Sequence, residues 1–326
     1  MPFAERHTSG RKAAKPMLVE PISHSHQPRL PRPKRGGVIL AAFALLAVTT
    51  AETRAQQFIP NVIISSTIPP NGDLNPYGVA FVPPSFPTGG NITSGDILVS
   101  NFNDSSNVQG TGTTIIKLTP NGLVAPAVSV GQAGNATTFF QGSGLGLTTA
   151  LGVLKRGFVL VGNVPTLNGT IQPGSLLLLD KTGKQLSNSP YTSNLVNDPW
   201  DMAIDDQFDH ALVFLSNVNN GPTKNKKGFV TRLTLAISAT GVAVTNATVI
   251  AKGYTVEPNS AALVLGPTGL AYDATTDTLY VASTADNAIF AVSSAGSRTG
   301  SAGQGGGDLS GRSFTRAAGA AFCAKR

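Results

Sequence analysis

The sequence is short of the residues on which metal and acid–base chemistry depend. It contains one cysteine, Cys323, so neither an internal disulfide nor a multi-cysteine zinc site can form. After residue 55 it contains one histidine, His210, and one glutamate, Glu257. His210 stands in DDQFDHA, a turn before a strand, where a solvated histidine is a simpler interpretation than a general base.

Charged residues are also few, at 13%, and they are unevenly distributed. Residues 1–55 hold nine Lys/Arg against three Glu, whereas residues 56–326 hold fifteen Lys/Arg against fourteen Asp/Glu. The net charge of +7 therefore belongs almost entirely to the first 55 residues. Nucleic-acid binding needs a basic surface on the folded domain, so this distribution argues against a nucleic-acid partner.

The N-terminal apolar run is too short to span a bilayer. It covers 11 residues, 38–48, against the roughly 20 that a membrane-spanning helix needs. The basic PRPKR precedes it and TRA follows at 53–55, the pattern of a cleaved secretory signal peptide. We expect residues 1–55 to be a leader cleaved after Ala55, and the mature chain to be secreted or periplasmic without a stable membrane anchor. A permanent anchor is the alternative.

What the sequence does contain is a repeat. Four apolar segments end in a similar small polar step: ILVSN at Asn101, FVLVGN at Asn163, VFLSN at Asn217 and LYVAS at Ser283. The steps are 62, 54 and 66 residues apart, which indicates an array of similar units. The pattern of strand and turn residues within each unit predicts an antiparallel four-strand meander. In the last unit the predicted strands are 269–272, 279–282 and 289–292, and the turns DATTD and STADN separate them.

Successive meanders of this length predict an all-β fold, a β-propeller of four-stranded antiparallel blades over residues 57–296. The coils of a β-helix are shorter than this spacing, and two separate sandwiches would not explain the recurring step. Residues 297–326 lack strand alternation and are rich in glycine, which predicts disorder. Our hypothesis is that this tail is degenerate or out-of-frame sequence in place of missing blades.

The last unit resembles the NHL-repeat consensus. Pro267 and Gly269 match its strand start, and Tyr280, Val281, Asn287 and Ile289 match its hairpin, whereas Ser283 and Ala288 replace the usual Asp and Arg. Pro76 with Gly78, and Pro199 with Asp201, repeat the start more loosely. The wider chain resembles uncharacterised exported NHL/YVTN-type propeller proteins of bacteria. This resemblance implies a ring of six blades, of which four to five are visible here, so the chain is interpreted as truncated.

The polar steps are the predicted binding residues. Because Asn101, Asn163, Asn217 and Ser283 end equivalent strands, we expect them around one rim, joined by Asp104 and Asp286. Such a neutral hydrogen-bonding ring would suit a protein, peptide or carbohydrate partner. Alternatively, Asn and Asp at hairpin corners bond their own backbone. Trp200, expected near the same face, either stacks on a ligand or packs in the core.

Asp201 and Asp205 are the candidate metal ligands, within a cluster of five aspartates at 198–209. Calcium or another divalent cation is possible there, but the spacing fits no EF-hand, and turn capping is the alternative. No cofactor is predicted. The expected function is a monomeric, exported binding or scaffold module. The rival is a metal-dependent lactonase or hydrolase like the gluconolactonase propellers, which use a Glu; Glu257 instead lies in a linker-like TVEPNS.

Overall fold

The structure, a computed structural model, describes residues 65–119, 136–167, 170–218, 227–259 and 262–305. These residues form strands, turns and loops without a helix, which confirms the prediction of an all-β fold. None of them belongs to a helix long and apolar enough to cross a membrane. The leader expected at 1–55 lies outside the described residues.

The first sheet is a four-stranded antiparallel meander. It comprises β1 (Leu74–Phe81), β2 (Ile97–Asn103), β3 (Thr114–Leu118) and β4 (Thr137–Gln141), in that order. The second half of β1 alternates between buried and exposed residues, because successive side chains of a strand point to opposite faces. One face of β1 therefore packs against the protein and the other is open.

The second sheet has three regular strands. They are β5 (Leu151–Leu154), β6 (Phe158–Asn163) and, after the short hairpin of β7 (Thr166–Leu167) and β8 (Thr170–Ile171), β9 (Ser175–Asp180). Isolated bridges join Leu176 to Tyr191 and Leu179 to Gln185. An irregular stretch of chain thus lies along β9, where the meander pattern predicts a fourth strand.

The third sheet again has four strands, and its last strand is the longest strand among the described residues. It comprises β10 (Pro199–Asp206), β11 (His210–Asn217), β12 (Gly228–Ile237) and β13 (Val242–Tyr254). A hairpin of β14 (Glu257–Asn259) and β15 (Leu263–Leu265) follows it.

The fourth sheet comprises β16 (Pro267–Asp273), β17 (Thr278–Ser283) and β18 (Ala288–Ser293). Its strands match those predicted from the sequence to within two residues at each end. The two turns contain Asp277 and Asn287 with positive φ, 48° and 49°. Asp and Asn tolerate this left-handed conformation, which is why DATTD and STADN suit these turns.

Each pair of consecutive sheets shares a hydrophobic core. Leu98 and Val159 belong to the core between the first and second sheets, and Leu160 and Val213 to the core between the second and third. Phe214 belongs to the core between the third and fourth. Val159 and Leu160 are neighbours on β6, so this strand is buried on both faces. That is why its sequence is continuously apolar rather than alternating.

The first strands of the sheets contact one another in chain order. β1 contacts β5, β5 contacts β10, and β10 contacts β16. We call β1, β5, β10 and β16 the inner strands. Within the described residues, β1 and β16 are not paired with each other.

The sequence repeat is reproduced in the strand register. Pro76 pairs with Asn101, Pro199 with Asn217, and Pro267 with Ser283. In these three sheets a register shift follows the proline at once. A proline lacks the N–H that a regular ladder uses, so a strand start followed by a bulge is a position that tolerates it.

The first part of the C-terminal segment is packed, which corrects the prediction of disorder from residue 297. Ala302 N donates to Ile250 O at 2.8 Å, and Lys252 N donates to Gly303 O at 2.7 Å. The free edge of β13 offers backbone groups that need partners, and residues 302–303 supply them. The glycine-rich composition of the segment does not indicate that it can pair with the free edge of β13. Residues 306–326 lie outside the described residues.

Candidate functional site

The four polar-step residues occupy equivalent strand positions, as predicted, but they are not exposed. The exposed fractions are 0% for Asn101, 4% for Asn163, 0% for Asn217 and 2% for Ser283. A ring that contacts a carbohydrate or peptide needs accessible side chains. Burial therefore argues against a binding rim built from the three asparagines, whereas Ser283, although buried, is among the residues that line the cavity described below.

The asparagines instead hold the loop that enters the first strand of their own sheet. Asn163 Oδ1 accepts a hydrogen bond from Gly146 N, and Asn217 Oδ1 accepts one from Asn197 N, both at 2.9 Å. Asn101 Nδ2 donates at 3.0 Å to a carbonyl of the chain that precedes β1. Buried polar side chains normally find such partners. These bonds support the structural interpretation of the polar step.

Asp104 and Asp286 also act within turns. Asp104 Oδ1 accepts from two backbone N–H groups of its own turn, at 3.0 and 3.2 Å. Asp286 Oδ2 accepts from Ser283 Oγ at 2.7 Å and from Thr255 N at 3.0 Å. Asp286 thereby joins the β17–β18 turn to the chain that follows β13. Local capping of this kind is the usual role of Asp in turns.

Trp200 packs in the core rather than on an exposed face. Its Nε1 donates to the hydroxyl of Tyr77 at 2.8 Å. Its ring makes edge contacts with Tyr77 and Phe102, at centroid distances of 6.0 and 6.3 Å. Trp200 is therefore not a stacking platform for a ligand, although it contributes to the wall of the cavity described below.

The candidate metal ligands do not share a site. Asp201 and Asp205 point to the same face of β10, but four residues of extended strand separate them by roughly 13 Å. Among the described residues, no three His, Cys, Asp or Glu side chains are grouped as metal ligands would be. His210 is exposed as the first residue of β11, with its Nδ1 at 2.5 Å from Asp209 Oδ1.

The candidate site is a cavity of about 480 Å³ that residues from all four inner strands line. Its walls include Tyr77 and Val79 of β1, Leu151 of β5, Asp201 of β10, Leu270 of β16, and Tyr280, Ala282 and Ile289 of the fourth sheet. Its volume lies in the range of about 300–1,000 Å³ typical of small-molecule pockets. We call it the central cavity. The exposed fractions of Tyr77 and Tyr280, 45% and 42%, show that it opens to solvent.

Asp201 is the one charged side chain among the described residues that line the central cavity. Its Oδ2 accepts from Leu270 N of β16 at 2.7 Å, and its Oδ1 accepts from Met202 N at 2.8 Å. Burial raises the pKa of Asp201 to about 6, although the two N–H bonds oppose this rise. Near neutral pH the carboxyl can therefore accept a cation or, when protonated, donate a hydrogen bond.

Tyr77 remains a neutral phenol beside this carboxyl. Burial raises the pKa of Tyr77, the hydrogen bond from Trp200 partly offsets this, and the charge of Asp201 raises it further. The site thus combines one carboxyl group, phenol and Thr hydroxyls, and apolar walls. It can orient a polar group of a ligand while the rest of the ligand contacts apolar surface.

A signal for Asp201 exists in the repeat itself. Gly78, Asp201 and Gly269 each stand two residues after the repeated proline of an inner strand. The backbone N–H groups of Gly78 and Asp201 also donate to equivalent serines, Ser100 and Ser216. The first and last units have glycine at this position, whereas the third has an aspartate. The third unit therefore departs from the repeat, and its aspartate is a candidate functional residue. Proximity in the sequence alone predicts a different group, in which Asp201 is paired with Asp205.

Comparison with known proteins leaves the family open. No family model matches the chain, and no curated protein matches it. Among solved structures it is similar to a mutant apocarotenoid oxygenase of Synechocystis, with 11% sequence identity and a TM-score of 0.33. The match covers 67% of this chain and 49% of that one, so the chain spans about half the length of that structure.

Proposed function

We propose that this chain is a binding module that takes a small ligand with an apolar body into the central cavity. The observation that carries the proposal is the cavity of about 480 Å³, to which all four inner strands contribute and in which one carboxyl group faces mostly apolar walls. Predominantly apolar concave sites with a few polar groups are typical of ligand binding.

We further propose that the four sheets are consecutive blades of an exported β-propeller of NHL type. The repeated proline-and-bulge register and the contacts between inner strands in chain order support this assignment. The basic leader, the short apolar run and TRA at 53–55 support export. N-terminal sequencing of protein recovered from the periplasm of a bacterial expression host tests export: a mature chain that begins at Gln56 is expected, and retention of residues 1–55 contradicts it.

Binding is favoured over the metal-dependent hydrolase. The two acids proposed as ligands, Asp201 and Asp205, are too far apart to coordinate one cation. Within the central cavity Asp201 stands without a second carboxylate among the described residues, whereas calcium sites combine six to eight oxygen ligands.

A neutral fluorescent probe tests the cavity directly. N-phenyl-1-naphthylamine, which emits strongly in apolar surroundings, is titrated into the wild type, Ala282→Phe and Thr137→Phe. Ala282 lines the cavity, and Thr137 is exposed on β4 outside it. We expect Ala282→Phe to weaken binding by about tenfold or more, because the added ring occupies the cavity, and Thr137→Phe to bind like the wild type. Equal affinity for all three proteins contradicts the proposal, since the probe then binds elsewhere.

A further inference from the structure

The carboxylate of Asp201 has no cationic partner in the part of the chain that the structure describes. No lysine, arginine or histidine is among the described residues that line the central cavity. The close contact between His210 and Asp209 lies at the exposed start of β11, away from this cavity. A carboxylate held in apolar surroundings without a counterion is expensive to ionise, and a bound cation removes that cost.

The hydrogen bonds of Asp201 leave part of its capacity unused. Oδ1 and Oδ2 each accept one backbone N–H, from Met202 and Leu270. A carboxylate offers about four acceptor positions, so about two remain for a ligand. The two bonds also fix the carboxylate between β10 and β16, so a ligand would meet an oriented acceptor rather than a mobile one.

The surroundings favour an organic cation. Tyr77 and Tyr280 line the same cavity, and phenol rings attract ammonium groups through their faces. Val79, Leu151 and Ile289 offer apolar surface for the remainder of a ligand. An anion would be repelled by Asp201, and a bare metal ion would find too few oxygen ligands.

We propose, on the basis of the binding function proposed above, that the ligand of the central cavity is an amine with an apolar body, whose ammonium group pairs with Asp201. The ammonium donates to the free acceptor positions of the carboxylate, and the apolar body lies against the walls from β1, β5 and the fourth sheet.

Three compounds of nearly equal size test the charge preference: 3-phenylpropylamine, 3-phenylpropan-1-ol and 3-phenylpropanoate, each competing with N-phenyl-1-naphthylamine. They are measured on the wild type, on Asp201→Asn and on the matched control Asp205→Asn, which removes the same charge from β10 outside the cavity. We expect the amine to bind the wild type at least about tenfold more tightly than the alcohol, because hydrogen bonds to charged groups are the stronger ones. That ratio should fall to about one in Asp201→Asn and persist in Asp205→Asn, and the carboxylate should bind most weakly.

A second measurement does not depend on the folding of a variant. In the wild type, affinity for the amine should rise as the pH increases through about 6, where Asp201 ionises, while affinity for the alcohol should not rise. If the alcohol competes as well as the amine, or if the amine preference survives Asp201→Asn, the ammonium assignment is wrong while the cavity remains a binding site. If no compound displaces the probe although Ala282→Phe weakens probe binding, the ammonium assignment is wrong and the cavity remains a binding site; if Ala282→Phe binds the probe like the wild type, both proposals are wrong.

Discussion

The indole Nε1 of Trp200 donates a 2.8 Å hydrogen bond to the hydroxyl of Tyr77, which lies 123 positions earlier in the chain. The bond joins the first sheet to the third, two sheets away. Tyr77 also lines both the central cavity and a second cavity of about 260 Å³ beside Phe102 and Val264. Tyr77 therefore forms part of the partition between the two cavities, and Trp200 holds its hydroxyl.

Tyr77→Phe should lower the free energy of unfolding by about 1–3 kcal/mol, because the buried indole N–H loses its acceptor. Urea denaturation followed by far-ultraviolet circular dichroism measures this change, because Trp200 is the only tryptophan in the sequence and one background below removes it. Tyr280→Phe is the control, since the Tyr280 side chain is exposed in the central cavity. Its free energy of unfolding should stay within about 0.5 kcal/mol of the wild-type value. In a Trp200→Phe background, Tyr77→Phe should cost much less; an undiminished cost would show that the hydrogen bond is not the cause.

Gly78→Ala and Gly269→Ala should differ sharply although the two glycines occupy equivalent repeat positions. A Cβ on Gly78 would lie 2.5 Å from Thr149 O, just before β5, whereas among the described residues a Cβ on Gly269 would meet only Ala282 Cβ, at 3.3 Å. Overpacking of the first kind costs about 1–3 kcal/mol. We expect Gly78→Ala to lower the thermal midpoint and Gly269→Ala to leave it nearly unchanged.

This pair of variants also tests where the array of sheets ends. If a further sheet in solution packed on the fourth sheet as the second packs on the first, Gly269→Ala would be as damaging as Gly78→Ala. Equal losses of stability would therefore contradict the open face that the described residues show at Gly269.

The positions of the strands could be predicted from the sequence, whereas the positions of the side chains relative to other sheets could not. The strands of the fourth sheet follow from alternation and turn residues, which are local properties. The burial of Asn217 depends on Asn197, twenty residues away, and the place of Asp201 in the cavity depends on Leu270, sixty-nine residues away. The packing of residues 302–303 depends likewise on the free edge of β13.

Asn217→Ala should destabilise the protein by about 1–3 kcal/mol. The change leaves Asn197 N–H without the acceptor that Asn217 Oδ1 provides at 2.9 Å, and it also removes the bond from Nδ2 to Leu215 O. Asn246→Ala, at an exposed position of β13, is the control and should cost less than about 0.5 kcal/mol. Chemical denaturation compares them. A similar cost for both variants would mean that the polar step has no structural role.

Ala302→Asp should destabilise the protein, because it places a charge where Ala302 packs against the core between the third and fourth sheets. We expect a loss of about 1–3 kcal/mol. Thr299→Asp adds the same charge three residues earlier at an exposed position and should be nearly neutral. Hydrogen exchange at Lys252 N–H, which donates to Gly303 O, should accelerate only in Ala302→Asp. Unchanged exchange would show that residues 302–303 do not hold this edge of β13.

Asp201 should make the protein less stable as the pH rises from about 4 to 7. Burial raises the folded-state pKa of Asp201 to about 6 from its ordinary value of 3.8, so between these values the folded chain binds more protons than the unfolded chain. The stability contributed by the protonated form is present below about pH 4 and lost as the pH rises through 6; two pKa units correspond to about 3 kcal/mol at most. Because Asn does not titrate, the unfolding free energy of Asp201→Asn relative to wild type should increase by up to that amount over the same interval. Carbon-13 NMR follows the pH titration of the Asp201 carboxyl, whose signal is assigned by its disappearance in Asp201→Asn. The titration should have its midpoint near pH 6. A midpoint near pH 4 would mean that the cavity does not desolvate this group.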